Sequence, residues 1–399
     1  MRRVLLGHLI ACALVLPAAA QNAPGVTDTE IKIGQTMPYS GPSARRALQG
    51  RAEIAYMQMI NDQGGVNGRK INLISVDDGY MPWRTGNETR KLIENDQVAF
   101  IFGSIGTPSE LAVAHYLNER KIPQLFIGSG AYRWGADYKA TPYTIGGVRP
   151  TFRVGARAYT RHVLAQNPNA KFCILYQDDD FGRDYVDGMR DVLGDTYAAR
   201  VSEATYLRSD KTVAPQIEHL KAAGCDVLVS GTTPDFAIQV IRKLHDLGWK
   251  PALMMSNVST SLPVVLGPAG VENSIGMLSS AYAKDPTDPE WTDDPGMKEF
   301  KAWAAKYLPD ADIRQTYVVE GYIAAATLVQ VLKQAGDDLS RENIMRQAKN
   351  LRGLELPMLL PGIKVDTSPT DYHAVQQLQL MRWDGERWVR FGPVLTDEK

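Results

Sequence analysis

Cysteine is scarce in this chain: three residues in 399, one of them (Cys12) inside an apolar N-terminal run. No CxxC or HxxxH pair occurs, so a zinc site of the usual spacing is excluded and no metal is expected. An excess of one charge is missing too. The formal net charge is −1, which leaves no basic surface for nucleic acid. The dinucleotide fingerprint G-x-G-x-x-G is absent; GSGAYRWG at 128–135 comes nearest, with its third glycine misplaced. There is no G-x-S-x-G elbow, and His115, His162, His219, His245 and His373 stand in no recognisable nucleophile motif. These absences argue against an enzyme, and no cofactor is implied.

A long apolar run occurs only at the start. Arg2 and Arg3 precede an apolar stretch over 4–16, followed by Pro17 and the A-x-A pair Ala18 and Ala20. This pattern predicts a secretory signal peptide over 1–20 and a periplasmic protein. The run is too short for the roughly 20 apolar residues of a membrane span. A lipoprotein signal ending at Cys12 is the lesser alternative. Cys173 and Cys225 remain after cleavage, each in a strand-like apolar segment. Two buried free thiols are expected rather than a disulfide.

What is present is a strand–helix alternation. Strands are predicted at 30–36, 70–77, 98–103 and 124–128, with helices at 44–62, 84–95 and 108–119 between them. A second unit repeats the pattern, with strands at 171–177, 200–206, 225–231 and 252–256. Helices follow at 296–307, 313–335 and 340–350 without strands of their own, so they must cover an existing sheet. The tail reads as a hairpin around Asp384-Gly385. The fold class is therefore α/β, with parallel sheets covered on both faces. A length of 399 fits about two domains. Ligands in such sheets bind beyond the carboxyl ends of strands. The segment 101–134 puts two polar, glycine-containing turns at two such ends, 104–109 and 129–132.

In order along the chain stand IKIGQTMPYSGP (31–42), MINDQGGVNGRKINLISVDD (59–78), GTPSELAV (106–113), IPQLFIGSGA (122–131), LYQDDDFGRDY (175–185) and VVEGYIAA (318–325). Through these the chain resembles the type I periplasmic substrate-binding proteins of ABC transporters, in the leucine/isoleucine/valine-binding branch. The resemblance covers essentially all of the chain after the leader. It implies two Rossmann-like lobes of the Venus-flytrap kind, joined by three crossover segments near 144–148, 280–284 and 354–360. Lobe 1 would comprise 27–145 plus 283–356, and lobe 2 would comprise 146–282 plus 357–395. It also implies a ligand held between the lobes, closure over that ligand, delivery to permease subunits in the inner membrane, and a monomer.

The resemblance assigns candidate ligand contacts by motif. From the first lobe these are Tyr39, Arg46, Ile105, Gly106, Thr107, Ser129, Gly130, Ala131 and Tyr132. From the second they are Asp180, Phe181, Thr232, Thr233, Asn257 and Val258. Backbone N–H groups at a turn entering a helix, with a threonine hydroxyl, suit a carboxylate. Two departures from the amino-acid-binding pattern stand out. The turn 256–261 (SNVSTS) holds no acid for an ammonium, and Tyr132 stands where a smaller hydroxyl is usual. A buried ammonium without an anion is costly. The expected ligand is thus a small carboxylate without an amine, aromatic or aliphatic. Tyr39, Tyr132, Trp134 and Phe181 are candidates to stack on a ring, and Arg45 or Arg46 to grip the carboxylate. Of the acidic run Asp178-Asp179-Asp180, Asp180 is the candidate helix cap. An acid in this run is the alternative ammonium partner, which would restore an amino-acid ligand. A periplasmic sensor is the remaining alternative to transport.

Overall fold

The computed structural model describes residues 22–41 and 43–397; the expected leader at 1–20 and Pro42 lie outside the described residues. Apolar alternation puts Ile31 and Ile33 of β1 (Glu30–Met37) in the core. β2 (Lys70–Asp77), β3 (Ile101–Phe102) and β4 (Gln124–Leu125) join it in one parallel sheet of order β2-β1-β3-β4. The helices Leu48–Asp62, Pro82–Glu94 and Thr107–Glu119 link these strands. The late helices Pro295–Tyr307, Thr316–Ala335 and Arg341–Ala348 cover the same sheet. Phe300, Tyr322, Leu328 and Ile344 share one apolar cluster with Ile31 and Phe100. Helix Thr316–Ala335 lies very close to Leu48–Asp62: a Cβ on Gly321 would stand 2.4 Å from the Gln49 carbonyl oxygen.

The second sheet has order β11-β10-β9-β8-β7-β5-β6. Its parallel part is β5 (Phe172–Gln177), β6 (Val201–Tyr206), β7 (Val227–Gly231), β8 (Ala252–Met255) and β9 (Leu278–Ala281). β10 (Gln377–Trp383) and β11 (Trp388–Thr396) add the antiparallel hairpin expected at Asp384-Gly385. Separate apolar clusters fill its two faces. The molecule is thus a two-lobed α/β protein. Met358, Ile363, Val365, Tyr372 and Val375 pack in the first sheet's cluster, and the chain enters the second sheet only at Gln377. Segment 358–360 runs beside 282–284, with Ala283 bridging to Leu359.

Both sheets reverse strand order at one point, between β1 and β3 in the first and between β5 and β7 in the second. Loops leaving these strands diverge there and open a crevice. The same topology corrects the expectation for the cysteines. β5 and β7 are sheet neighbours although β6 separates them in sequence. This brings Cys173 and Cys225 to a Cα separation of 5.7 Å, and they form a disulfide.

Candidate functional site

The chain leaves β1 through a short turn of helix, Ala44–Ala47, and places Arg46 between the lobes. Arg46 is only 6% exposed, and its Nε and Nη2 are buried without a hydrogen-bond partner. Its guanidinium stands 5.8 Å from the ring centre of Tyr317. The Tyr317 hydroxyl donates to the Val258 carbonyl across the cleft (3.3 Å). Burial raises the Tyr317, Tyr282 and Tyr80 phenols, and the Arg46 charge partly offsets this in all three. All three are therefore neutral hydroxyls within electrostatic reach of Arg46, and none of them supplies it a counter-charge.

Nearby, a second buried arginine is satisfied. Arg149 forms an ion pair with Glu320, their side chains 4% and 8% exposed. Glu320, Tyr282 and Asn257 border a small cavity of about 60 Å³. The Asn257 Oδ1 is buried and unpartnered.

The two turns of 101–134 behave differently from each other. Gly106 (φ 115°) precedes helix Thr107–Glu119, whose N-terminus no side chain caps. Ile105 is buried and bridges to Gly128. The Thr107 and Ser129 hydroxyls bond each other (2.7 Å). Ser129 also accepts from the Trp134 indole N–H (2.9 Å) and the Ala131 N–H (3.2 Å). Trp134 is thus a buried brace and does not offer a stacking face. The Gly130 carbonyl accepts from the Phe152 N–H, and Ala131 is buried.

Tyr132 is not among the groups around Arg46. Its ring packs on His373 at 4.8 Å, with the guanidiniums of Arg153 and Arg157 at 5.0 and 5.4 Å. Its N–H donates to Asp184 across the lobes (2.6 Å). Burial lifts the Asp184 carboxyl to about 8, so it is largely protonated at neutral pH. Tyr39 bonds Ser75 (2.7 Å) and borders an outer recess at the cleft mouth with Arg45. Arg45 makes an exposed contact with Asp235 (3.2 Å), so of the two arginines only Arg46 is buried.

On the second lobe, Asp179 rather than Asp180 caps helix Asp180–Leu193, accepting from the Phe181 N–H (3.0 Å). The backbone turns one residue earlier than the sequence reading placed it. Asp180 instead pairs with Arg133 of the first lobe (2.7 Å). Phe181 packs edge-on against Phe152 at 4.8 Å in the second lobe's core. Thr232 bonds Ser230 (2.8 Å), and the Thr233 N–H donates to the Tyr206 hydroxyl (3.1 Å). Neither leaves an obvious free donor.

The structure thus gathers Arg46, Val258 and Asn257 with Tyr80, Tyr282 and Tyr317, and the sequence reading missed all three tyrosines. Each was within reach of a quoted motif: Tyr317 directly precedes VVEGYIAA, and Tyr80 follows ISVDD two residues on. No motif marks Tyr282, which reaches the site through tertiary folding.

Two α/β lobes with a crevice at their strand ends form the architecture of a binding protein. Residues 30–387 match the family described as "Periplasmic binding protein", and the chain belongs to that family. It is similar to Leu/Ile/Val-binding protein homolog 7 of Brucella abortus (strain 2308), 25% identical with 97% of this chain and 96% of that protein covered. Among solved structures it resembles a branched chain amino acid ABC transporter from Thermus thermophilus with bound valine. There the TM-score is 0.80 at 16% identity, over 93% and 98% of the two chains. It also resembles the fatty acid ABC transporter substrate-binding protein from Thermomonospora curvata, with a TM-score of 0.74 at 20% identity over 95% of each. Among the described residues no helix is long and apolar enough to cross a membrane.

Proposed function

We propose that this protein is the extracytoplasmic solute-binding component of an ABC transporter. It takes a small carboxylate into the cleft between its lobes and delivers it to the permease. The observation that carries the ligand charge is Arg46: a buried guanidinium with two unpartnered nitrogens and the Tyr317 ring beside it. An arginine stays protonated at any working pH. Its burial is costly unless an anion completes it, and a carboxylate matches its planar fork. The uncapped helix N-terminus at Thr107 adds a second favourable field for the anion.

Within this reading the cargo is an aromatic or aliphatic acid without an amine, because no acid stands at 256–261 and Asp180 is taken by Arg133. The fatty acid in the name of one structural neighbour supports a des-amino cargo for this fold. An amino acid is the second reading. It is favoured by Asp179, whose carboxylate lies near Tyr80, and by the names of the relatives. A thermal-shift screen of aliphatic acids, aromatic acids and amino acids separates the two, since ligand binding raises the melting temperature. Shifts with amino acids alone would overturn the des-amino reading. Loss of uptake on deletion supports transport, and intact uptake with lost induction would point to a sensor.

A further inference from the structure

Tyr80 is buried, 5% exposed, yet it belongs to none of the apolar clusters that form the cores among the described residues. Its backbone lies in the left-handed region, with φ at 61°. A bulky residue there carries strain and persists only where its surroundings hold it. Asp78 holds this one: it accepts from the Tyr80 N–H (2.9 Å) and from the Thr85 hydroxyl (2.7 Å). The ring approaches closely the turn that enters helix Thr107–Glu119. A Cβ on Gly106 would stand 2.3 Å from a ring carbon, so the glycine is required by the ring as well as by its own φ of 115°. The hydroxyl end lies beside Gln177 and Asp179 at the end of β5, and Arg208 of the second lobe donates to the Tyr80 carbonyl (3.1 Å). The ring therefore crosses from the first lobe's strand ends to the second's, next to Arg46.

We propose that Tyr80 is a specificity-determining residue that sets how long a ligand the cleft accepts. Its ring walls off the space beyond Gly106, so that a molecule anchored by its carboxylate at Arg46 has room only for a short tail. This inference rests on the cleft being the ligand site. It is a statement about size, separable from the statement about charge. Backbone strain spent on fixing a ring outside every core, in the path between two lobes, fits a wall better than a packing element.

The test uses the mature protein and three variants. Tyr80→Gly removes the ring and relaxes the backbone, Tyr80→Asn removes it with a residue that tolerates a left-handed φ, and Tyr80→Phe keeps the wall. Each is titrated by thermal shift and calorimetry with two series of increasing length. One series is unbranched and phenyl-terminated acids, from acetate to octanoate and from benzoate to phenylbutanoate. The other is alanine, norvaline and norleucine. The wild type and Tyr80→Phe should prefer the short members of whichever series binds. Tyr80→Gly and Tyr80→Asn should bind the longer members about tenfold tighter or more than the wild type does, a fitted methylene being worth about 10–200-fold. An unchanged length profile in both variants would overturn the proposal, even where carboxylates bind as expected. Binding of the amino acids alone would overturn the des-amino reading, and the length proposal would then be judged on that series. No shift in any protein with any member would overturn both.

Discussion

Arg46 and Arg149 are both almost fully buried at the junction of the lobes, and they solve the same problem in opposite ways. Arg149 lies on the passage between the sheets and meets Glu320 of helix Thr316–Ala335. Its charge is balanced from within the chain. Arg46 lies on the first lobe's cleft face beside the Tyr317 ring, and its Nε and Nη2 have no hydrogen-bond partner. The buried acids of the same lobe clarify the contrast. Glu53 accepts from Gln49 (3.0 Å) and Gln35, and Glu110 accepts from Gln124 (2.7 Å); neither has a cation partner. Burial lifts both to about 8, so they discard their charge by holding a proton. Arginine has no such escape. A buried charge can be paired, neutralised or left waiting for a partner, and Arg46 is the one of these groups that waits.

The largest expected effect comes from breaking the satisfied pair. Arg149→Met leaves Glu320 buried and uncompensated, and removing one partner of such a pair costs about 3–5 kcal/mol. Urea denaturation without ligand checks this. The same change at Arg46 should act in the opposite sense: Arg46→Met removes an uncompensated charge, so stability without ligand stays level or rises. Ligand affinity should then fall by about 2–5 kcal/mol, the range for losing one side of a buried, hydrogen-bonded charge pair. Calorimetric titration with the best acid from the screen reads this directly. If Arg46→Met destabilises the empty protein as much as Arg149→Met does, the two arginines are both structural and the comparison fails.

The disulfide separates the stability of a lobe from the charge of the cleft. It closes a loop of 52 residues in the second lobe. Cys173→Ala with Cys225→Ala should cost about 2–4 kcal/mol by freeing the unfolded chain. Affinity should be unchanged, because neither sulfur reaches the cleft face. Denaturation and titration of one preparation measure both quantities. A matching loss of affinity would mean that the second lobe's face depends on the bond.

The parts of this molecule legible in sequence are those where local pattern and fold agree. Ile31 and Ile33 alternate because their strand is half of a sandwiched sheet, and Asp384-Gly385 turns a hairpin because its geometry is local. Arg46 was legible through its motif, although its lack of partners was not. What escaped depends on contacts between distant segments. The pairing of Cys173 with Cys225 follows from β5 lying beside β7, which no spacing reveals. The engagement of Tyr132 by His373 and of Asp180 by Arg133 joins residues 241 and 47 positions apart. The resemblance assigns Phe181 to the ligand through its motif, but a motif does not show that its ring packs in the second lobe's core against Phe152.

The smallest effect tests the neutral side of the comparison. Glu110 holds its proton in the folded state up to about pH 8 and releases it in the unfolded state near 4.5. Between these values the folded protein binds more protons than the unfolded chain. Stability must therefore fall as pH rises through that window, and level off above it. Glu53, about 8 for the same reason of burial, and Asp184, also about 8, add slopes of the same sign. Glu110→Gln keeps the shape and the bond partner, Gln124, but titrates in neither state. It should make the decline in melting temperature between about pH 5 and 8 shallower while leaving part of it to the other two acids. A decline that is unchanged in Glu110→Gln would mean that Glu110 is ionised in the folded protein. The first lobe would then bury a second unbalanced charge, and Arg46 would no longer be distinct in waiting for a partner.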